Sequence, residues 1–249
     1  MKKIQLMTHI VAGYPTMDEC EKIALKMASS GVSFIEIQIP FSDPIADGKT
    51  ILSANMQALK NGTTPDDCFA LMKRLKKSIK IPLLFMTYFN IPFVYGLEKF
   101  CKKAKEVGCY GFIIPDIPLD EEEHEHYLEL CKKYDLKAIQ VISPITESER
   151  LKKIAQVAEG FVYCVSRLGT TGERAELDSR LGDYLDKVRE HIDLPLALGF
   201  GISTQEHVQA AAAKADIVVM GSKIINLYNE TKENKVDAIG DFVLKMKSA

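Results

Sequence analysis

The feature that most limits what this chain can fold into is a rhythm. Short runs rich in β-branched residues alternate with longer amphipathic stretches, about eight times over, along 249 residues. The predicted strands are Ile4–Val11, Phe34–Ile39, Leu83–Met86, Gly111–Ile114, Ala138–Ile142, Phe161–Val165, Leu196–Leu198 and Ile217–Met220. The helical patterns between them cover Asp18–Ser29, Thr50–Lys60, Asp66–Ser78, Leu97–Glu106, Leu119–Tyr134, Glu147–Val157, Leu181–His191, Thr204–Ala213 and Ser222–Asn229. A last helix is predicted at Ala238–Lys247. Nearly continuous apolar strands separated by helices call for a parallel sheet buried on both faces. About eight such units in roughly 250 residues predict an α/β chain folded as one (β/α)8 TIM barrel with a C-terminal helix. An open dinucleotide-binding sheet would need Gly-x-Gly-x-x-Gly after its first strand, and none is present. No linker-like stretch divides the chain, so one domain is expected over residues 1–249.

Composition removes several function classes. Lys and Arg total 32 against 34 for Asp and Glu, a formal net charge of −2. That balance offers no attraction to nucleic acid or to an anionic membrane. No run approaches the about 18 apolar residues of a membrane span. The start, MKKIQLMTHIVAGYP, reads as a first strand ending in a turn rather than as a signal peptide. Cys20, Cys68, Cys101, Cys109, Cys131 and Cys164 are scattered, with no Cys-x-x-Cys and no histidine at metal spacing. They fit a reducing compartment, so a cytoplasmic location is expected.

The segment Phe34–Ile51 carries the most chemistry. Strand side chains alternate, so Phe34, Glu36 and Gln38 share one face and Ile35, Ile37 and Ile39 the other. The isoleucines belong beneath the helices, which turns Glu36 into the barrel. A carboxyl in such a low-dielectric place is costly, and hence a functional candidate. The loop that follows, Pro40–Gly48, falls at the C-terminal mouth, where barrel active sites are built. By spacing alone, Asp47 in that loop reads first as an ordinary helix cap.

The string Ile39-Pro40-Phe41-Ser42-Asp43-Pro44, followed by Ala46-Asp47-Gly48, resembles the signature of the tryptophan synthase α subunit family. Further matches run in the family's order: Met86–Asn90, Pro115–Pro118, Gly169–Gly172, Gly199–Ser203 and Gly221-Ser222. The resemblance covers most of the chain. It implies a lyase of tryptophan biosynthesis that splits indole-3-glycerol phosphate into indole and glyceraldehyde 3-phosphate by reverse-aldol chemistry, without a cofactor or metal of its own. It also implies that Glu36 is the general acid and base, and that Asp47 holds the indole N–H and its developing positive charge. Tyr163 matches a tyrosine beside the substrate. The implied partner is the pyridoxal-phosphate-bearing β subunit, in an α2β2 complex, docked on the mouth around Asp43–Gly48, Asn90–Phe93 and Asp116 onward.

Glycine-containing turns follow the seventh and eighth predicted strands, and helix-start N–H groups favour an anion. With Gly172 after the sixth strand they predict a phosphate cradle. The resemblance assigns the contacts to Gly172, Phe200, Gly201, Gly221 and Ser222. Ser166–Arg180, rich in glycine, threonine and alternating charge, has the composition of a lid. In the family the matching loop closes over substrate and brings Thr171 to the aspartate.

Three positions depart from the family pattern: Gln38 for a usual glycine, His9 for an aromatic ring, Lys49 for a usual proline. Gln38 is expected one layer nearer the mouth than Glu36, where it would crowd the indole. The start is also short by a helix, which predicts a more open barrel bottom. These departures keep a second reading alive, a weakly active or inactive α-like subunit that chiefly binds and activates its partner. The run Asp120–Glu125 with His124 and His126 looks like a solvated acidic helix start rather than a metal cluster. A Schiff-base aldolase would need a lysine inside the barrel, and the predicted strands carry none.

Overall fold

The structure is a computed structural model that describes residues 4–165, 180–199 and 201–248. Eight parallel strands close into a barrel: β1 (Gln5–Val11), β2 (Phe34–Gln38), β3 (Leu83–Met86), β4 (Gly111–Ile113), β5 (Lys137–Ile142), β6 (Val162–Val165), β7 (Leu196–Gly199) and β8 (Ile217–Met220). β8 returns to pair with β1, so no strand edge is left open. The predicted TIM barrel is the observed one, and no predicted strand end is off by more than one residue.

The register explains the strand pattern. Met7 lies opposite Phe34, His9 opposite Glu36 and Val11 opposite Gln38. The inner core is Met7, Leu84, Met86, Ile113, Ile139, Phe161, Ala197, Ile217 and Val219. The alternate positions, Ile35, Ile37 and Ile39 among them, pack outward with Phe69, Phe85, Phe100 and Phe112 under the helices. A strand apolar on both faces belongs between two such layers. Gly111 on β4 is required by close approach, since a Cβ there would lie 2.1 Å from the Lys137 carbonyl oxygen.

At the bottom of the barrel, aromatic side chains meet. The Phe34 ring meets Phe161 at 5.4 Å and Tyr110 at 6.4 Å, both edge-on.

Two helical readings are corrected. Leu119–Tyr134 is a 3-10 turn at Leu119–Glu121 and two helices, Glu122–Glu125 and Tyr127–Lys133. They are separated by His126 in the left-handed conformation at φ 54°. The Glu122 carboxylate accepts the N–H groups of Leu128 (2.7 Å) and Glu129 (2.9 Å), which caps the second helix from outside and makes the break tolerable. A further short helix, Asn90–Tyr95, follows β3. Its NIPFVY sequence has no polar face to betray a helical period. Among the described residues, no helix is long and apolar enough to cross a membrane.

Candidate active site

Every strand runs from the bottom to the mouth, so the residue after each strand starts a mouth loop. A cleft of about 790 Å³, open solvent included, descends from the mouth into the barrel. His9, Glu36, Asp47, Tyr163, Gly201, Gly221 and Ser222 line it, together with Ile51, Met86, Pro115 and Lys223. Six of the nine site residues expected from the sequence therefore meet at one place: Glu36, Asp47, Tyr163, Gly201, Gly221 and Ser222. Thr171, Gly172 and Phe200 lie outside the described residues. So does the segment read as a lid, apart from Arg180.

Glu36 points inward and is 3 % exposed. Its Oε1 lies 2.9 Å from His9 Nδ1 on the adjacent strand. Its Oε2 meets no partner among the described residues, and neither does His9 Nε2. Burial alone would push the His9 imidazole down. The hydrogen bond and charge of Glu36, the charge of Asp47 and a smaller effect of Gln38 outweigh it, so the ring is held above its ordinary value of 6.5.

Asp47 is not a helix cap. Gly48 occupies the cap of the helix Lys49–Lys60 and makes no side-chain cap bond. Instead Asp47 turns in, 7 % exposed, and its Oδ2 accepts from Gln38 Nε2 at 2.6 Å. Burial holds its carboxyl above the ordinary aspartate value, against the opposing pull of Gln38, His9 and the Tyr88 hydroxyl. Gln38 itself is fully buried and is not among the residues that line the cleft. The expected crowding of the indole is thus corrected: the amide is spent on Asp47. Lys49 is exposed and merely opens the helix.

The loop that carries Asp47 is fastened at several points. The Tyr88 hydroxyl accepts the Ala46 N–H at 3.0 Å, and the Phe41 ring stacks on Tyr88 at 5.4 Å. Asn55 Oδ1 accepts the Phe41 N–H at 3.1 Å, while Asn55 Nδ2 donates to the Ile51 carbonyl. Asp116 Oδ1 in turn accepts the Phe89 N–H at 2.9 Å, holding the start of the next mouth helix. Phe41, Tyr88 and Asp116 fall within motifs matched from the sequence, but no anchoring role was read for them, and Asn55 gave no signal at all.

Tyr163 stands on β6, its hydroxyl pushed well above the ordinary tyrosine value by burial and by the charges of Glu36 and Asp47. Gly199 makes the room: a Cβ there would lie 2.9 Å from the Tyr163 ring and 3.0 Å from its hydroxyl. At the far side, Gly221 and Ser222 form the start of the helix Ser222–Glu230, beside Gly201 at φ 42°. A helix N-terminus presents N–H groups and partial positive charge, and Lys223 adds a cation to the cleft wall. Among the described residues no group of three or more metal-type side chains comes together, including around His124 and His126.

Comparisons with known proteins agree with this geometry. The sequence model of the family described as tryptophan synthase alpha chain matches residues 1–249. The tryptophan synthase alpha chain of Desulfotalea psychrophila is 44% identical over 99% of this chain and 95% of its own. That of Syntrophotalea carbinolica is 43% identical over 95% and 93%. Among solved structures, a mutant tryptophan synthase alpha-subunit from Pyrococcus furiosus superposes with a TM-score of 0.90 at 31% identity, covering 100% of both chains. A structure of Mycobacterium tuberculosis tryptophan synthase gives 0.91 at 26% identity, covering 99% of this chain and 92% of the other. With its model matched from end to end and relatives above 40% identity over nearly the whole chain, the chain belongs to the tryptophan synthase alpha chain family.

Proposed function

We infer that this chain is the lyase subunit of a tryptophan synthase and cleaves indole-3-glycerol phosphate into indole and glyceraldehyde 3-phosphate. The observation that carries the reading is a pair of buried carboxylates, Glu36 and Asp47, opening on one apolar cleft that ends at a helix N-terminus.

The bond to be broken joins the indole C3 to a carbinol carbon. A proton must arrive at C3, and the carbinol hydroxyl must lose one, so the two transfers balance. As the carbon–carbon bond breaks, its electron pair returns to the ring and quenches the charge on nitrogen. Glu36 is the acid–base group for these transfers, through the open Oε2. Asp47 accepts a hydrogen bond from the indole N–H, and its negative charge favours the protonated ring. The indole lies against Met86, Ile113, Val141 and Tyr163, and the phosphate end lies toward Gly201, Gly221 and Ser222. Thr171, Gly172 and Phe200 complete the substrate contacts.

The partner is the pyridoxal-phosphate-bearing β subunit, which consumes the indole. Ile45, Phe93, Val94 and Ile145 expose large apolar side chains on three mouth loops, a surface suited to a docked partner. The chain acts as one domain and in the cytoplasm. The two departures that suggested a non-catalytic subunit each engage a site carboxylate: Gln38 turns to Asp47 and His9 to Glu36.

The test is indole release by Glu36→Gln in the presence of the β subunit. We expect a fall of about a hundredfold or more, in the range that acid–base groups contribute. Retention of more than a few per cent of the activity would remove Glu36 from this role.

A further inference from the structure

Two of the family departures, His9 and Gln38, are the two residues that hold the two carboxylates. We propose that His9 is a positioning residue for Glu36 and Gln38 one for Asp47, so that the acid–base pair of this chain is aimed by a polar bridge across β1 and β2. The proposal rests on the reading of Glu36 and Asp47 given above.

The register supplies the geometry. His9 and Glu36 are directly opposite on neighbouring strands and Gln38 is the next inward residue, one layer nearer the mouth. Parallel strands stand about 4.8 Å apart, and the 2.9 Å between Nδ1 and Oε1 spans that gap with a single hydrogen bond. A glutamate held only by apolar neighbours would sample several rotamers; one fixed through Oε1 presents Oε2 along one direction. Gln38 does the same for Asp47 by donating to Oδ2, and the Tyr88 hydroxyl steadies the same carboxylate.

A purely structural buried pair would have its polar atoms saturated. Here Glu36 Oε2, His9 Nε2 and Gln38 Oε1 all remain without a hydrogen-bond partner among the described residues. Glu36 and His9 also line the cleft. The bridge is further tied to the phosphate end. A Cβ on Gly221 would lie 3.3 Å from the His9 Cβ and 3.6 Å from its Cγ, so the start of the Ser222–Glu230 helix packs on the His9 ring. An imidazole, flat and able to donate from its edge, fits under that glycine and still reaches Glu36.

The ionisable and charged groups around His9 are Glu36 from β2, Asp47 from the mouth loop, Tyr163 from β6 beside Glu36, and Lys223 from the helix start. Glu36 and Asp47 favour the protonated ring, and burial opposes it.

The experiment has two arms. In the complex with the β subunit, steady-state indole release is measured for His9→Phe, which restores the family's aromatic ring, and for His9→Asn, which keeps a donor near the position of Nδ1. We expect His9→Phe to lower kcat roughly tenfold to a hundredfold, as loss of alignment does, with KM changed by less than about threefold. His9→Asn should recover a large part of that loss. Equal kcat for wild type and His9→Phe would overturn the proposal, as would His9→Asn falling as far as His9→Phe. In the second arm, the His9 ring is titrated by NMR in the full chain and in Glu36→Gln. Removing the Glu36 charge should move the midpoint down; an unmoved midpoint overturns the bond. A wild-type chain that releases no indole would sink the reaction and the catalytic half of the proposal, while the titration still decides whether the bond exists.

Discussion

Asp47 is a carboxylate kept where a carboxylate is unwelcome. Burial and the neighbouring Glu36 charge hold its proton above the ordinary aspartate value of 3.8, despite Gln38, His9 and Tyr88. The sign of the consequence follows from linkage. Just above pH 3.8 the folded chain binds more proton at this site than the unfolded chain, so stability falls as pH rises through that window, and the full cost is present beyond it. Asp47→Asn removes the charge while its amide oxygen can still accept from Gln38. We expect a higher melting midpoint at neutral pH, a difference that shrinks on acidification, and indole release down about a hundredfold. A variant no more stable than wild type at pH 7 would show that the bridge fully compensates the burial. At this scale the sequence told part of the story. Glu36 and Asp47 were readable as candidates from strand alternation and from the mouth loop. Their tethers were not, because a bond between residues 9 and 36 depends on the stagger of β1 against β2, which only the closed barrel sets. Two polar residues at inward positions of neighbouring strands were the available signal.

Strands proved easier to read than helices for a physical reason. A buried strand carries apolar side chains at nearly every position, so its ends are marked by the first polar or turn residue. Helix ends instead depend on where unpaired N–H and C=O groups find partners, which can be distant in sequence. The capping box of Thr64 and Asp67 at the start of Pro65–Ser78 is local, and that helix was placed to within one residue. The break at His126 is closed by Glu122, six and seven residues before the N–H groups it accepts, and no short-range pattern reveals it. Glu122→Ala should therefore act like loss of a cap, about 1 kcal/mol, lowering the urea midpoint with no change in slope. Glu123→Ala, one place along the same exposed turn, is the control and should have no measurable effect. If both behaved alike, the break would owe nothing to Glu122.

Across the whole molecule, barrel polarity separates chemistry from stability. The bottom holds the packed rings of Phe34, Tyr110 and Phe161, whereas the mouth carries the cleft and a rim of exposed apolar side chains. Ile45 is 77 % exposed and Phe93 57 %, on the loops after β2 and β3. Their loops also hold the site: Asp47 lies two residues beyond Ile45, and Phe89, whose N–H is held by Asp116, opens the turn into Phe93. A partner seated on this rim would press on the same loops that aim Asp47. Burying Ile45 and Phe93 in an interface removes apolar surface from water, and centrally placed apolar anchors contribute about 2 kcal/mol or more each. Phe93→Ser should thus weaken β-subunit binding by about thirtyfold, measured by titrating the partner against its stimulated activity. Indole release by the isolated chain should stay within about twofold, because Phe93 does not line the cleft. Leu244, 53 % exposed on the flanking helix Lys235–Lys247, provides the comparison. Leu244→Ser should leave partner affinity unchanged, and equal weakening by both variants would move the interface away from the mouth.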